Sequence, residues 1–215
     1  MKVILNKEHK RVLSDATELM FLSMSKKWEE VLDKIKKPNI ENSIVSSELP
    51  NLIRKELEVY ISNKDITKII YDYNIILKKI DNNDSLTDSE LGKISSLTDA
   101  YSRFGMGQIS DWFLLLNTIS YNFFKDVQII SWGMVDNSSS YLLMKKEFFR
   151  LNPNAYYGIH SHDISDDFRI SFDMHQVIRY HLSWKRNPDG GMGVNFRNPL
   201  KSSLNEELLE IREDS

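Results

Sequence analysis

Apolar residues recur every third or fourth position along most of this chain, the period of helices that bury one face. From Glu8 to Lys36 the stripe passes through Val12, Ala16, Leu19, Met20, Trp28, Val31 and Ile35, which predicts one long helix stopped by Pro38. A polar stretch then leads through Pro50 into a helix with Leu52, Ile53, Leu57 and Tyr60 on one face. A second follows with Ile66, Ile69, Ile70, Tyr73, Ile76 and Leu77, so that residues 37–86 read as an inserted helical hairpin. The β-branched content of that second run makes strand its rival assignment.

Thr87, with Glu90 three residues on, forms a capping box, and the helix it opens should end at Gly105-Met106-Gly107, where two glycines interrupt it. Another apolar segment follows with Ser110 as its cap; residues 126–135 fit strand and helix equally, and Tyr141 to Leu151 reads as a helix. Asp163-Ile164-Ser165 should open a helix to Arg186. Its first turn carries Asp166 and Asp167 and its last Lys185 and Arg186, each charge opposing the helix dipole, and Asn187 to Gly191 ends it. Ser203 and Glu206 predict a further capped helix over residues 204–211. Two short alternating runs remain, 1–5 and 192–196, and each needs a partner for its backbone groups. The expected fold is therefore mainly α, a single helical domain over 1–215 in which these two runs pair as a small two-stranded β-ribbon.

Composition narrows the chemistry. The absence of cysteine excludes disulfides, thiol nucleophiles and thiolate metal sites, and suits a cytoplasmic setting. The N-terminal MKVILNKEHKR lacks the apolar core of a signal peptide, and no run is long enough to span a membrane. A net charge of -3, from 28 basic and 31 acidic residues interleaved along the chain, leaves no basic stripe for general nucleic-acid binding. The loop at Asp81, Asn83 and Ser85 imitates a calcium loop but places Leu86 where glycine is needed and Gly92 where the bidentate glutamate belongs.

Residues 153–199 hold four of the five histidines. His181 falls among Ile170, Met174, Val177, Ile178 and Trp184 on one helical arc and is expected as a hydrogen-bonded core histidine. His160 and His162 would face the same way in an extended segment, and with His175 they define the one metal alternative, a metal-dependent phosphoesterase or nucleotide hydrolase. Their spacing matches no metalloenzyme signature. The glycines at 105–107 and 190–193 lack a phosphate loop's ending, and no GxSxG is present. No catalytic residue and no cofactor is assigned on these grounds.

Two stretches, AYSRFGMGQ at 100–108 and YGIHSHDISDDFRISFDMHQVIRYHLSWKRNPDGGMGVNF at 157–196, resemble a family of small uncharacterised proteins of tailed phages and prophages. The positions that carry the resemblance are Tyr101, Arg103, Gly105, Met106, Gly107 and Gln108, then Asp173, Gln176, Val177, Ile178, Arg179, Leu182 and Trp184, then Pro188, Gly190 and Gly191. It brings no activity and implies only the cytoplasm of infected bacteria, where an accessory role against host defence is the expectation. Tyr101, Arg103, Gln108, Asp173, Gln176 and Arg179 are the candidate ligand-binding residues, because they are polar groups set within core-forming helices. Trp132, Tyr156, Tyr157, Tyr180 and Trp184, with Arg179, Lys185 and Arg186, are of the types that dominate protein hot spots or clamp nucleotides. The expected partner is thus a host protein or a small anionic ligand such as a nucleotide, and self-association is compatible with the same residues.

Overall fold

The computed structural model describes residues 1–35, 44–58, 66–119, 138–152, 154–191, 198–205 and 207–213. Strand β1 is Lys2–Ile4, followed by helices α1 (Lys7–Met24), α2 (Trp28–Ile35), α3 (Ile44–Glu56), α4 (Ile66–Asp81), α5 (Asp88–Gly105) and α6 (Ile109–Ile119). Then come α7 (Ser139–Leu143), running into a π-helical turn at Met144–Phe148, the 21-residue helix α8 (Asp166–Arg186) and strand β2 (Glu210–Arg212). The protein is mainly helical with one small antiparallel ribbon, and one buried apolar cluster draws residues from every helix.

Helix α8 is the centre of the molecule, packed by α5, α1 and β2. Its closest partner is α5, and the reason is written in residue size. Ser95, Thr98, Ser102 and Gly105 follow one another at spacings of three and four along α5, so one face is lined by small side chains. Against it α8 sets Phe168, Ser171 and His175 in reverse order. Ser171 Oγ donates to the Thr98 carbonyl at 2.8 Å, His175 Nδ1 meets Ser95 at 3.0 Å, and Phe168 fills the space at Gly105. At the far end Lys185 pairs with Asp88 at 2.7 Å, so the two helices run antiparallel in register over their whole shared length.

The long helix expected over 8–36 is two. Lys26 takes a left-handed conformation at φ 59°, and the Lys27 amide reaches back to the Leu22 carbonyl at 3.0 Å. This is the hydrogen-bonded stop that glycine usually provides, and no glycine marks it here. The break turns Trp28 into the core, where it lies against Phe113 and its indole N–H donates to Glu58 at 2.9 Å. Pro50 lies within α3 and not ahead of it. The isoleucine-rich run of α4 is helical, because Ile69, Tyr73, Ile76 and Ile80 bury one face. Ser110 lies inside α6, which begins one residue earlier. The Thr87–Glu90 capping box forms as expected, as does the helix stop after Arg186, where Gly190 turns the chain at φ +78°.

The ribbon has a different second strand from the one expected. Lys2–Ile4 pairs with Glu210–Arg212, with Val3 opposite Ile211, whereas 192–196 lies outside the described residues, as do 126–135, Pro38 and Tyr60. The helix expected over 204–211 does not form among the described residues. Ser203 is held to α8, its amide and its hydroxyl both donating to Asp173, at 2.9 and 2.6 Å. Residues 198–205 instead form a strap across α8 that delivers β2 to β1.

Gly105→Ala is expected to destabilise the fold by about 1–3 kcal/mol through overpacking, since a Cβ there would sit 2.0 Å from the Phe168 ring. Urea denaturation measures this, and Phe168→Leu in the same chain should recover part of the loss.

Candidate functional site

Polar groups buried along α8 divide into three settings. The first is the strap. Asp173, 1% exposed, accepts hydrogen bonds from the Ser202 amide at 2.7 Å and from both donors of Ser203, and Asp166 accepts the Leu204 amide at 2.9 Å. Asn205 reaches His9 Nε2 at 3.0 Å and accepts from Asn6 at 3.0 Å. His9, itself buried, completes the capping box of α1 with Asn6. Asp173 therefore fastens the strap and is not part of a solvent-facing site.

The second setting is the seam between α5 and α8. Asp99 and Arg103 lie one turn apart on α5 and pair at 3.1 Å, and Arg103 also reaches Gln108 and Asp111, each at 3.4 Å. His175 Nε2 lies 3.8 Å from Asp99 Oδ1; burial opposes protonation of its ring, Asp99 favours it, and the charges of Arg179 and Arg103 add to the effect of burial. One turn further along α8, Arg179 Nη2 donates to Gln176 Oε1 at 2.6 Å. Of the six candidate residues, the structure thus joins Arg103 with Gln108 and Gln176 with Arg179. Tyr101 is elsewhere, packed at a tilt between Phe168 and Trp112 with its phenol pushed up by burial.

The seam holds a serine, a histidine and an aspartate in line, which invites a reading as a nucleophilic triad. The hydrogen bonds disagree with that reading. His175 Nδ1 lies 3.0 Å from the Ser95 carbonyl oxygen as well as 3.0 Å from its hydroxyl. A carbonyl can only accept, so Nδ1 carries the ring proton and cannot take one from Ser95. The nitrogen left to face Asp99 is then the unprotonated one, the reverse of what an activated serine requires. Ser95 is moreover buried.

The metal alternative is corrected by the same geometry. Among the described residues no group of three or more histidines and carboxylates gathers as a ligand set. His175 is committed to Ser95. His160 and His162 are exposed on a loop that Arg169 fixes through the carbonyls of Ile159 and Ser161, at 3.2 and 3.1 Å. Among the described residues His162 meets Asp163, at 3.6 Å.

The third setting is a groove of about 500 Å³ between the C-terminal half of α8 and β2, lined by Val177, Tyr180, His181, Trp184, Ile211 and Glu213. Trp184 is 37% exposed and meets Tyr180 edge-on at 6.3 Å, while the turn at Gly190 closes beneath its ring. Lys185 stands at the rim, paired with Asp88. His181 is half-buried here and not in the core, its Nε2 3.0 Å from Met1 Sδ. Of the remaining aromatic residues, Tyr156 stands exposed on a separate loop, Tyr157 accepts the Asn152 amide through its hydroxyl, and Trp132 lies outside the described residues.

No family model, curated protein or solved structure matches the chain. The resemblance to phage proteins is accordingly a basis for a proposal alone.

Burial holds the imidazoles of His9, His175 and His181 below their ordinary range, and nearby carboxylates, Asp173 for His9, Asp99 for His175 and Glu213 for His181, offset this only in part. A histidine kept neutral by folding takes up its proton more readily when unfolded, so its stabilising contribution is complete above the unfolded value of about 6.5 and is lost as pH falls. The urea midpoint should fall as pH drops below about 6.5, and His9→Gln, which can still fill the capping box, should flatten that fall. Asp173→Asn should cost about 2 kcal/mol by removing acceptors from the strap, and hydrogen exchange should show residues 198–205 losing protection before the helices.

Proposed function

We propose that this chain is a phage-type accessory protein that acts by binding, not catalysis, and that the groove beside Trp184 receives a host protein. The observation that carries the reading is the pair Tyr180 and Trp184, which offers aromatic surface to solvent at an end of α8 where a concave face is open. Aromatic residues in partly enclosed pockets are the usual anchors of protein recognition. Val177 and Ile211 supply an apolar floor, and the rim carries both Lys185 and Glu213. The complementary partner inserts one large apolar or aromatic side chain flanked by charges of both signs. The disarmed Ser95–His175 pair supports binding over catalysis, since it removes the most suggestive reactive grouping among the described residues.

A second reading, in which the ligand is a small anion such as a nucleotide, draws on a different place in the molecule, the neighbourhood of Arg179.

The test compares the full chain with its Trp184→Ala variant as bait in infected bacteria, followed by titration of the purified partner. The expected result is one host protein whose affinity drops about tenfold or more in the variant while the melting temperature holds. Equal retention by both baits would sink the proposal, as would turnover of nucleotides or phosphoesters by the purified wild-type protein.

A further inference from the structure

Arg179 differs from the other arginines whose contacts are described. Arg11, Arg54, Arg103 and Arg212 each hold a carboxylate, and Arg169 donates to two backbone carbonyls. Arg179 has only the neutral Gln176 oxygen at 2.6 Å, with no carboxylate at ion-pair distance among the described residues. Its Nε is buried and meets no acceptor among the described residues. A buried donor left unmade is costly, and in a native fold it calls for an explanation.

Arg103, on the facing helix, is paired with two carboxylates, Asp99 and Asp111. Gln176, 5% exposed, accepts from Arg179 and so orients the guanidinium without balancing its charge. Among the described residues Arg179 thus has a neutral acceptor but no carboxylate at ion-pair distance. It also lies about 100° or more around the helix from Tyr180 and Trp184, so it does not belong to the groove.

We propose that Arg179 anchors a site for an oxyanion, the carboxylate or phosphoryl group of a small ligand, at the seam between α5 and α8. A guanidinium offers parallel N–H donors that match two oxygens of such a group. A small turn of the side chain, held by a single neutral acceptor, presents Nε together with an Nη to the ligand and makes the missing bond. The proposal deepens the binding reading by giving a small anionic ligand a place separate from the protein-binding groove.

The experiment titrates the full-length protein with sodium phosphate, sodium acetate and, as control, sodium chloride at constant ionic strength, and follows the arginine Nε–H resonances by NMR. The resonance lost in Arg179→Lys identifies Arg179, and the lysine variant, which keeps the charge, guards against loss of fold. The expected result is a saturable shift of that resonance with phosphate or acetate and none with chloride. In Arg179→Gln, observed through the neighbouring backbone amides, binding should weaken about tenfold or more. Stronger response to phosphate assigns a phosphoryl ligand, and stronger response to acetate a carboxylate. A response equal to that of chloride means an adventitious ion only and overturns the site, as does unchanged binding in Arg179→Gln. The two proposals fail separately: loss of this site leaves partner capture dependent on Trp184 intact, and the reverse also holds.

Discussion

The close contact between α5 and α8 is the constraint on which the rest of this structure depends. Two helices whose facing residues are large stand well apart, and small residues let the backbones approach. Here Ser95, Thr98, Ser102 and Gly105 supply the small face, and Phe168 enters at Gly105 where no larger residue leaves room. The approach brings the Ser171 hydroxyl within reach of a backbone carbonyl of the other helix and sets His175 over Ser95. Once this pair is fixed, α1 and the ribbon have a surface to cover, and the positions of Asp173, Gln176 and Arg179 around α8 follow from its rotation.

A helix covered from several directions cannot be apolar on one face and polar on the other. Ile170, Met174, Ile178 and Leu182 supply the apolar share of α8, yet Ser171, Asp173 and Gln176 are buried with them. Each buried polar group then needs a partner. Asp173 finds three donors in the strap, Ser171 a carbonyl, and His175 a carbonyl and a hydroxyl. Such interior bonds specify the arrangement far more than the exposed pairs do, for example Lys10 with Asp81 at 3.2 Å, since an exposed ion pair contributes little. Against that background two buried atoms among the described residues lack a partner, Ser202 Oγ in the strap and Arg179 Nε, and only the second belongs to a charged group.

Much of the helical framework could be read from the chain. The capping box at Thr87, the glycines closing α5 and the opposed charges at the two ends of α8 are local signals, and the structure obeys them. The break at Lys26 carried no such mark, because a lysine took the left-handed conformation that glycine usually supplies. In the strap a local signal was outcompeted: Ser203 and the residues after it have helical character, but a buried carboxylate 30 residues earlier holds the serine against α8. The candidate residues split for the same reason. Arg103 with Gln108, and Gln176 with Arg179, are near neighbours in sequence, and sequence brought them forward. The partners of Asp173 and the burial of Tyr101 depend on segments distant in the chain. The small-residue seam on α5 was present in the spacing of Ser95, Thr98, Ser102 and Gly105, and His9 and Asn205 had no counterpart signal, since their contact spans 196 positions.

The ribbon joining Lys2–Ile4 to Glu210–Arg212 also orders events in time. During synthesis the first of these strands leaves the ribosome before the helices and the second after them, so Val3 waits for Ile211 while the body of the protein is made. Pairs so far apart in the chain repay their loop-closure entropy late. The helical body must therefore hold together on α5, α8 and their neighbours before the two strands meet. Until then Asp173 and His9 lie uncovered, two polar groups on a nascent surface that the finished protein hides. Closing the strap is thus a late step of assembly, and a chaperone or protease that meets this chain early meets a different face from the one it presents afterwards.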